Sequence, residues 1–232
     1  VSQALDVRTD DQILLATAAA SPYAPRAAGA LDPAFRIFDI FVAAVAIVIL
    51  APVMVALAVL IRAADGGPAL FAHDRVGLGG RAFRCIKFRT MVVDADVRLA
   101  QLLAEDPFAR REWQSHYKLR SDPRISRLGG FLRRSSLDEL PQLFNVLRGD
   151  MSIVGPRPIV ISEIPLYGRR YRTLCSVRPG MTGLWQVSGR NDTTYRRRVA
   201  LDTVYAKNKS LLWDMKIMAM TISAVIFARG SY

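Results

Sequence analysis

Apolar positions along the chain fall into one long uninterrupted run and many short ones. The run Ile40–Ile61, IFVAAVAIVILAPVMVALAVLI, carries no charge in 22 residues. As a straight helix it would measure about 33 Å, enough for the ~30 Å hydrocarbon core of a bilayer. Its length and uniformity argue against the core helix of a soluble protein. Pro52 lies near the middle, where it removes one helical hydrogen bond and bends the axis. Two geometries follow: a kinked crossing, or a helical hairpin that enters and leaves by the same face. Arg36 precedes the run and Arg62, Arg75, Arg81 and Arg84 follow it. The positive-inside bias then places both ends on the cytoplasmic side and favours a re-entrant hairpin over residues 35–62.

Beyond the run, elements are short. Residues 69–91 alternate apolar runs around a glycine-rich turn and predict a β-hairpin. Helical spacing predicts helices over 94–105 and 108–120, the second holding Phe108, Trp113 and Tyr117. From Glu139 a helix should run to Arg148, with Leu140, Leu143, Phe144 and Leu147 on one face and Gly149 as its stop. Met151–Val154 predicts a strand, 163–174 a helical segment, Leu184–Val187 a second strand and 194–207 a helix. The apolar stretch 211–228 fits either an interfacial helix, with Trp213 and Lys216 near lipid headgroups, or a buried core helix. The expected fold class is α/β, mostly helical with short strands. A compact cytoplasmic domain over 63–232 would carry amphipathic interface helices behind the N-terminal re-entrant hairpin. Residues 1–34, Ala-rich with three prolines and no basic n-region, predict a mobile tail rather than a secretory signal.

Charge narrows the partners. The 232 residues hold 32 Lys and Arg against 20 Asp and Glu, a formal charge of +12, which points to nucleic acid, an acidic membrane surface or phosphorylated substrates. No nucleic-acid motif, strand–GxGxxG–helix unit or GxxxxGK[ST] loop is present. Gly77–Arg81, GLGGR, reads as a turn. Cys85 and Cys175 lack metal-ligand spacing and read as reduced thiols, and His73 and His116 have no partner pattern.

The candidate chemistry lies in Arg133–Pro158, RRSSLDELPQLFNVLRGDMSIVGPRP. Locally, Ser136-Leu137-Asp138-Glu139 fits a capping box, with Asp138 as an alternative N-cap. A helix N-terminus would also depress the pKa of Asp138 and favour phosphate. An ionised Asp there could hold a divalent metal or attack phosphorus. Transferring phosphoryl groups need surrounding cations; Lys87, Arg89, Arg133, Arg134, Arg157, Arg178 and Arg190 are candidates. Carboxylates without a His/Cys cluster suit Mg²⁺ better than Zn²⁺.

These stretches, with KFRTM (87–91), RPGMTGLWQVSGRN (178–191) and DTVYAKNKSLLWDMKI (202–217), resemble the bacterial sugar transferase family of monotopic phosphoglycosyl transferases across residues 35–232. The ending ARGSY is similar to the short exopolysaccharide-initiating branch. The resemblance implies transfer of a galactose or glucose 1-phosphate from a UDP-hexose to undecaprenyl phosphate, with UMP released. It implies a location on the cytoplasmic leaflet of the bacterial inner membrane, Mg²⁺ as cofactor, no nucleic acid, and a homodimer as a possible assembly. By the same resemblance Asp138 is catalytic nucleophile and metal contact, and Glu139 its dyad partner. Lys87, Arg89, Arg133, Arg157 and Arg190 bind substrate. The family's re-entrant helix breaks at a Ser-Pro pair; here Ala51-Pro52 keeps only the proline.

Overall fold

The computed structural model describes residues 33–116, 119, 121–189 and 194–226. The apolar run lies within one helix, α1 (Pro33–Asp65), which takes in the last two residues expected in the tail. It continues through Pro52 as a single element, with no turn separating two arms. Gly66 ends it at φ 73°, its N–H bonded to Arg62 O at 2.8 Å.

α1 has two unlike faces. Asp39, Ala43, Met54, Leu57 and Ile61 are buried, and Ala46, Ile47 and Leu50 pack partly between them. Steps of three or four residues make this one stripe along the helix. Polar contacts hold both ends of the stripe. Asp39 accepts from Ser152 Oγ and the Ile153 N–H, each at 2.9 Å, and Arg36 donates to the Val146 and Leu147 carbonyls. At the other end Asp65 pairs with Arg89. The opposite face is apolar and bare: Phe41, Val48, Ile49, Val55 and Val59 are 61% to 75% exposed.

β1 (Leu70–Val76) and β2 (Ala82–Phe88) form the expected antiparallel hairpin, with Phe71 opposite Lys87 and His73 opposite Cys85. The glycine stretch is its turn, Gly79 taking φ 67°. α2 (Ala95–Glu105), α3 (Pro107–His116) and α4 (Arg127–Ser135) follow; Tyr117, expected in the second of these, lies outside the described residues. α5 (Gln142–Arg148) buries Gln142, Leu143, Asn145 and Val146 rather than the all-apolar face expected, and Phe144 is 40% exposed. The cause is Asn145, whose side chain accepts from the Ile86 N–H at 3.0 Å and donates to Arg84 O at 2.8 Å. It bonds the outer edge of β2 as a further strand would, so α5 turns to bring it inward.

β3 (Ser152–Val154) pairs in parallel with β4 (Gly180–Thr182). Between them come α6 (Ile164–Tyr167) and α7 (Tyr171–Leu174), each one turn long. Leu184–Val187, expected as a strand, is a helical turn, α8, whose Gln186 and Val187 N–H groups bond back to Gly183 O. A run of four gives periodicity nothing to work with. α9 (Tyr195–Lys207) starts at a Thr194 cap, and α10 (Leu211–Ile226) closes the described chain. α10 is two-sided: Asp214 and Ile217 are buried in the core, as a core helix would have them, while Leu212, Met215 and Ile222 are exposed. Cys85 and Cys175 are free and buried.

α4 crosses the end of β2 so closely that a Cβ at Gly129 would lie 1.9 Å from Thr90 O, whereas one at Gly130 would meet nothing nearer than 3.6 Å. Gly129→Ala is expected to lower the melting temperature sharply. Gly130→Ala should leave it unchanged or raise it, gaining about 0.5–1 kcal/mol of helix propensity. Thermal unfolding of the two variants in parallel checks this.

Candidate active site

The site starts from a bend. Ser126 caps α4 by accepting the Gly129 N–H at 2.9 Å, and α4 ends on Ser136. Ser136 has φ 58°, the one positive value at a non-glycine residue among those described. This left-handed residue turns the chain into a 3₁₀ turn, Leu137–Glu139, before α5. The expected capping box is therefore not formed. Ser136 makes no cap hydrogen bond, and Asp138 sits inside the 3₁₀ turn with Leu140 and Pro141 between it and α5.

The turn sets Asp138 into a cavity of about 760 Å³. One face of the hairpin supplies a wall: Phe71, His73 and Arg75 from β1, and Cys85, Lys87 and then Arg89 from the β2 side. Thr90, Asp96, Arg133, Ser136, Glu139, Trp185 and Gln186 complete the polar part. Pro68, Met91, Val92 and Val93 form an apolar lip beside the end of α1.

The expected site residues take different places. Lys87 Nζ pairs with Glu139 Oε1 at 2.6 Å, both about one-third exposed. Arg133 donates through Nε to Thr90 Oγ1 at 2.8 Å. Arg89 lines the cavity, but its guanidinium is engaged by Asp65, Pro68 O and Met91 O. Arg157 stands over the Trp185 ring, 5.9 Å from its centroid, and is not itself part of the cavity wall. Arg190 lies outside the described residues. Three residues were missed by sequence reasoning. Arg75 and Trp185 both line the cavity. Asp202, 1% exposed, accepts from Tyr167 Oη at 2.8 Å beside the Arg157 amide.

Four aspartates are buried among the described residues. Three accept a hydrogen bond from a hydroxyl group, Asp39 from Ser152, Asp202 from Tyr167 and Asp214 from Tyr205, though Asp202 Oδ1 is left without a partner. Asp138, 9% exposed, has no such donor and borders the cavity, with the charges of Lys87 and Arg133 acting on it.

The family model for bacterial sugar transferases matches residues 32–228. The chain belongs to the bacterial sugar transferase family. The transferase is 45% identical over 219 residues to the exopolysaccharide production protein ExoY of Rhizobium meliloti, covering 92% of this chain and 97% of that protein. It is 49% identical over 197 residues to an undecaprenyl-phosphate galactose phosphotransferase of Salmonella typhimurium, covering 85% of this chain and 41% of the longer protein. It is 38% identical over 226 residues to a UDP-glucose:undecaprenyl-phosphate glucose-1-phosphate transferase of Caulobacter vibrioides, covering 91% of this chain and 76% of that one.

Among the described residues of the transferase, no three His, Cys, Asp or Glu side chains gather into a metal cage. The adjacent Asp138 and Glu139 carboxylates, both on the cavity wall, nonetheless fit Mg²⁺, which needs only one or two protein carboxylates when substrate phosphates supply further oxygens. The pKa of Asp138 runs opposite to the helix-terminus expectation. Burial pushes it up to about 6; Lys87 opposes, Glu139 adds to the rise, and Arg133 opposes more weakly. At neutral pH the carboxylate is still mainly ionised and is more basic than an ordinary one, which suits a nucleophile.

A carboxyl whose folded pKa is raised favours the fold most below its unfolded pKa of 3.8, and that contribution is lost as pH rises through about 6. Above that range the buried charge opposes folding by up to roughly 3 kcal/mol. Asp138→Asn is expected to abolish transfer yet raise the melting temperature at pH 7.5, and to flatten stability between pH 4 and 6. Paired activity and unfolding measurements across that range test both halves.

Proposed function

We propose that this transferase moves galactose or glucose 1-phosphate from a UDP-hexose to undecaprenyl phosphate, releasing UMP, as the first membrane step of exopolysaccharide synthesis. The observation that carries this is Asp138, the one buried aspartate without a hydroxyl partner, opening onto a cation-lined cavity beside the end of an apolar helix. Support for the substrates comes from relatives named for these reactions.

An Asp138 carboxylate oxygen attacks the β-phosphorus of the UDP-hexose. The bond from that phosphorus to the bridging oxygen breaks, and UMP leaves with the electron pair. The phosphosugar is then an acyl phosphate on Asp138. A phosphate oxygen of the lipid attacks the same phosphorus and expels the carboxylate, giving a lipid diphosphate sugar and free enzyme. Asp138 and Glu139 would hold Mg²⁺ together with substrate phosphate oxygens, and the ion would supply charge neutralisation there. Lys87 lies against Glu139 and within the field of Asp138, so the two acids are not left to repel each other across the cavity. Arg133, fixed on Thr90, adds positive charge to the Asp138 side.

The bare face of α1 calls for a non-aqueous neighbour, since it exposes a contiguous apolar strip far beyond isolated surface residues. Both ends of the helix are bonded to the same domain, which supports entering and leaving the bilayer by one face over a straight crossing. The cytoplasmic leaflet follows from the flanking arginines. This geometry brings a water-soluble sugar nucleotide and a lipid-anchored phosphate to one cavity.

Incubating the full chain with Mg²⁺ and a UDP-hexose labelled in the sugar, without lipid acceptor, is expected to leave label on wild-type protein and none on Asp138→Asn. UMP should appear in equal amount. Turnover with acceptor but persistent failure to trap label would favour direct transfer, and polymer production by Asp138→Asn in cells would defeat the catalytic assignment altogether.

A further inference from the structure

Two guanidinium groups stand over the Trp185 ring, and a third, that of Arg75, lies near Arg157. Arg198 lies 4.4 Å from the indole centroid and Arg157 5.9 Å. Arg75, on the cavity wall, donates through Nη1 to Pro158 O at 3.3 Å, beside Arg157 in sequence. None of the three forms an ion pair among the described residues. Of the neighbouring carboxylates, Glu163 accepts the Val160 N–H at 3.0 Å, and Asp202 accepts the Tyr167 hydroxyl through Oδ2 while its Oδ1 is buried without a partner.

The buried polar side-chain atoms without a hydrogen-bond partner, among the described residues, all belong to α8 and α9. Two are obligatory donors, Trp185 Nε1 and Arg198 Nε, and two are acceptors, Gln186 Oε1 and Asp202 Oδ1. Tyr195 Oη, on the same helix as Arg198, is a third group able to donate. An unsatisfied buried donor costs about 1–3 kcal/mol. Arg157 repels both Arg75 and Arg198, with Glu163 acting on both in opposition, and a bound anion would relieve that repulsion further. Three guanidinium groups without an ion-pair partner among the described residues, beside an indole N–H with no acceptor, suit a ligand that is negative and rich in acceptor oxygens.

We propose that Arg75, Arg157 and Arg198, with the Trp185 indole N–H, form a binding site for a phosphate monoester next to Asp138. Resting on the transferase function above, two reactants carry that group: UMP and the lipid phosphate. In-line displacement through Asp138 places both opposite the carboxylate, one after the other. One site can therefore release the first and receive the second. Arg75 and Arg198 are new members of the machinery; each offers a planar fork suited to two phosphate oxygens.

The test measures equilibrium binding of UMP, uridine and farnesyl phosphate to the full chain in lipid nanodiscs, for wild type, Arg75→Gln and Arg198→Gln. Each arginine variant is expected to weaken UMP by roughly tenfold or more, as for loss of a charged hydrogen bond, and to leave uridine unchanged. Matching loss of farnesyl phosphate affinity would show that both phosphates use the site; loss of UMP alone would assign it to the nucleotide, and loss of farnesyl phosphate alone to the lipid. If Arg198→Gln does not fold, Arg198→Lys, which keeps the charge and loses the fork, is measured instead. Unchanged affinity for both phosphates, or equal weakening of uridine and UMP, overturns the proposal. Asp138→Asn with full transfer activity would sink the catalytic reading while leaving these binding results standing.

Discussion

The position of Asp138 relative to Lys87 depends on Asn145. These residues come from separate units: the acid from a 3₁₀ turn ahead of α5, the lysine from β2. Nothing in the turn itself fixes their separation. The Asn145 amide, fully buried, joins α5 to the open edge of β2 through both its donor and its acceptor. Directional bonds in a dry interior allow little slack, and the Lys87–Glu139 contact is a consequence of that alignment. The same helix receives Arg36 at its C-terminal carbonyls, where positive charge is favoured. One seven-residue helix thus ties the cavity to α1.

The domain treats buried negative and positive charge differently. Its structural aspartates are paired with hydroxyl groups, which supply a hydrogen bond without a second charge. Burial raises Asp202 to about 7 and Asp214 to about 6. Cations, by contrast, gather where phosphate chemistry would take place. Arg89 and Arg124 are paired with buried or partly buried acids, Asp65 and Asp122; those over Trp185 form no ion pair among the described residues.

Much of the fold was legible because helices of eleven or thirteen residues, such as α2 and α9, present several turns of apolar spacing. The hairpin was legible from its glycine turn. Elements of three or four residues were not: Leu184–Val187 has no period to read. The acidic dyad was legible as chemistry but not as geometry, because a serine adopting φ 58° displaced the anticipated cap. Arg89 looked like the other arginines of its stretch, and only the fold shows Asp65 claiming it. Asn145 and Asp202 gave no signal, since a polar residue that faces inward on a helix resembles one that faces water until its partners are known.

Anchoring and folding share one element in this protein. The residues that give α1 its affinity for hydrocarbon alternate, within each turn, with residues that complete the interior: Ala43 is fully enclosed and Ile61 nearly so. A membrane tail attached by a linker can be cut away to leave a soluble enzyme. Here the cut would remove a wall of the core and expose the seam beneath it, so a truncated catalytic fragment would trade one insoluble surface for another. Purification, crystallisation and any engineered soluble form must keep the helix and disguise its outer side instead.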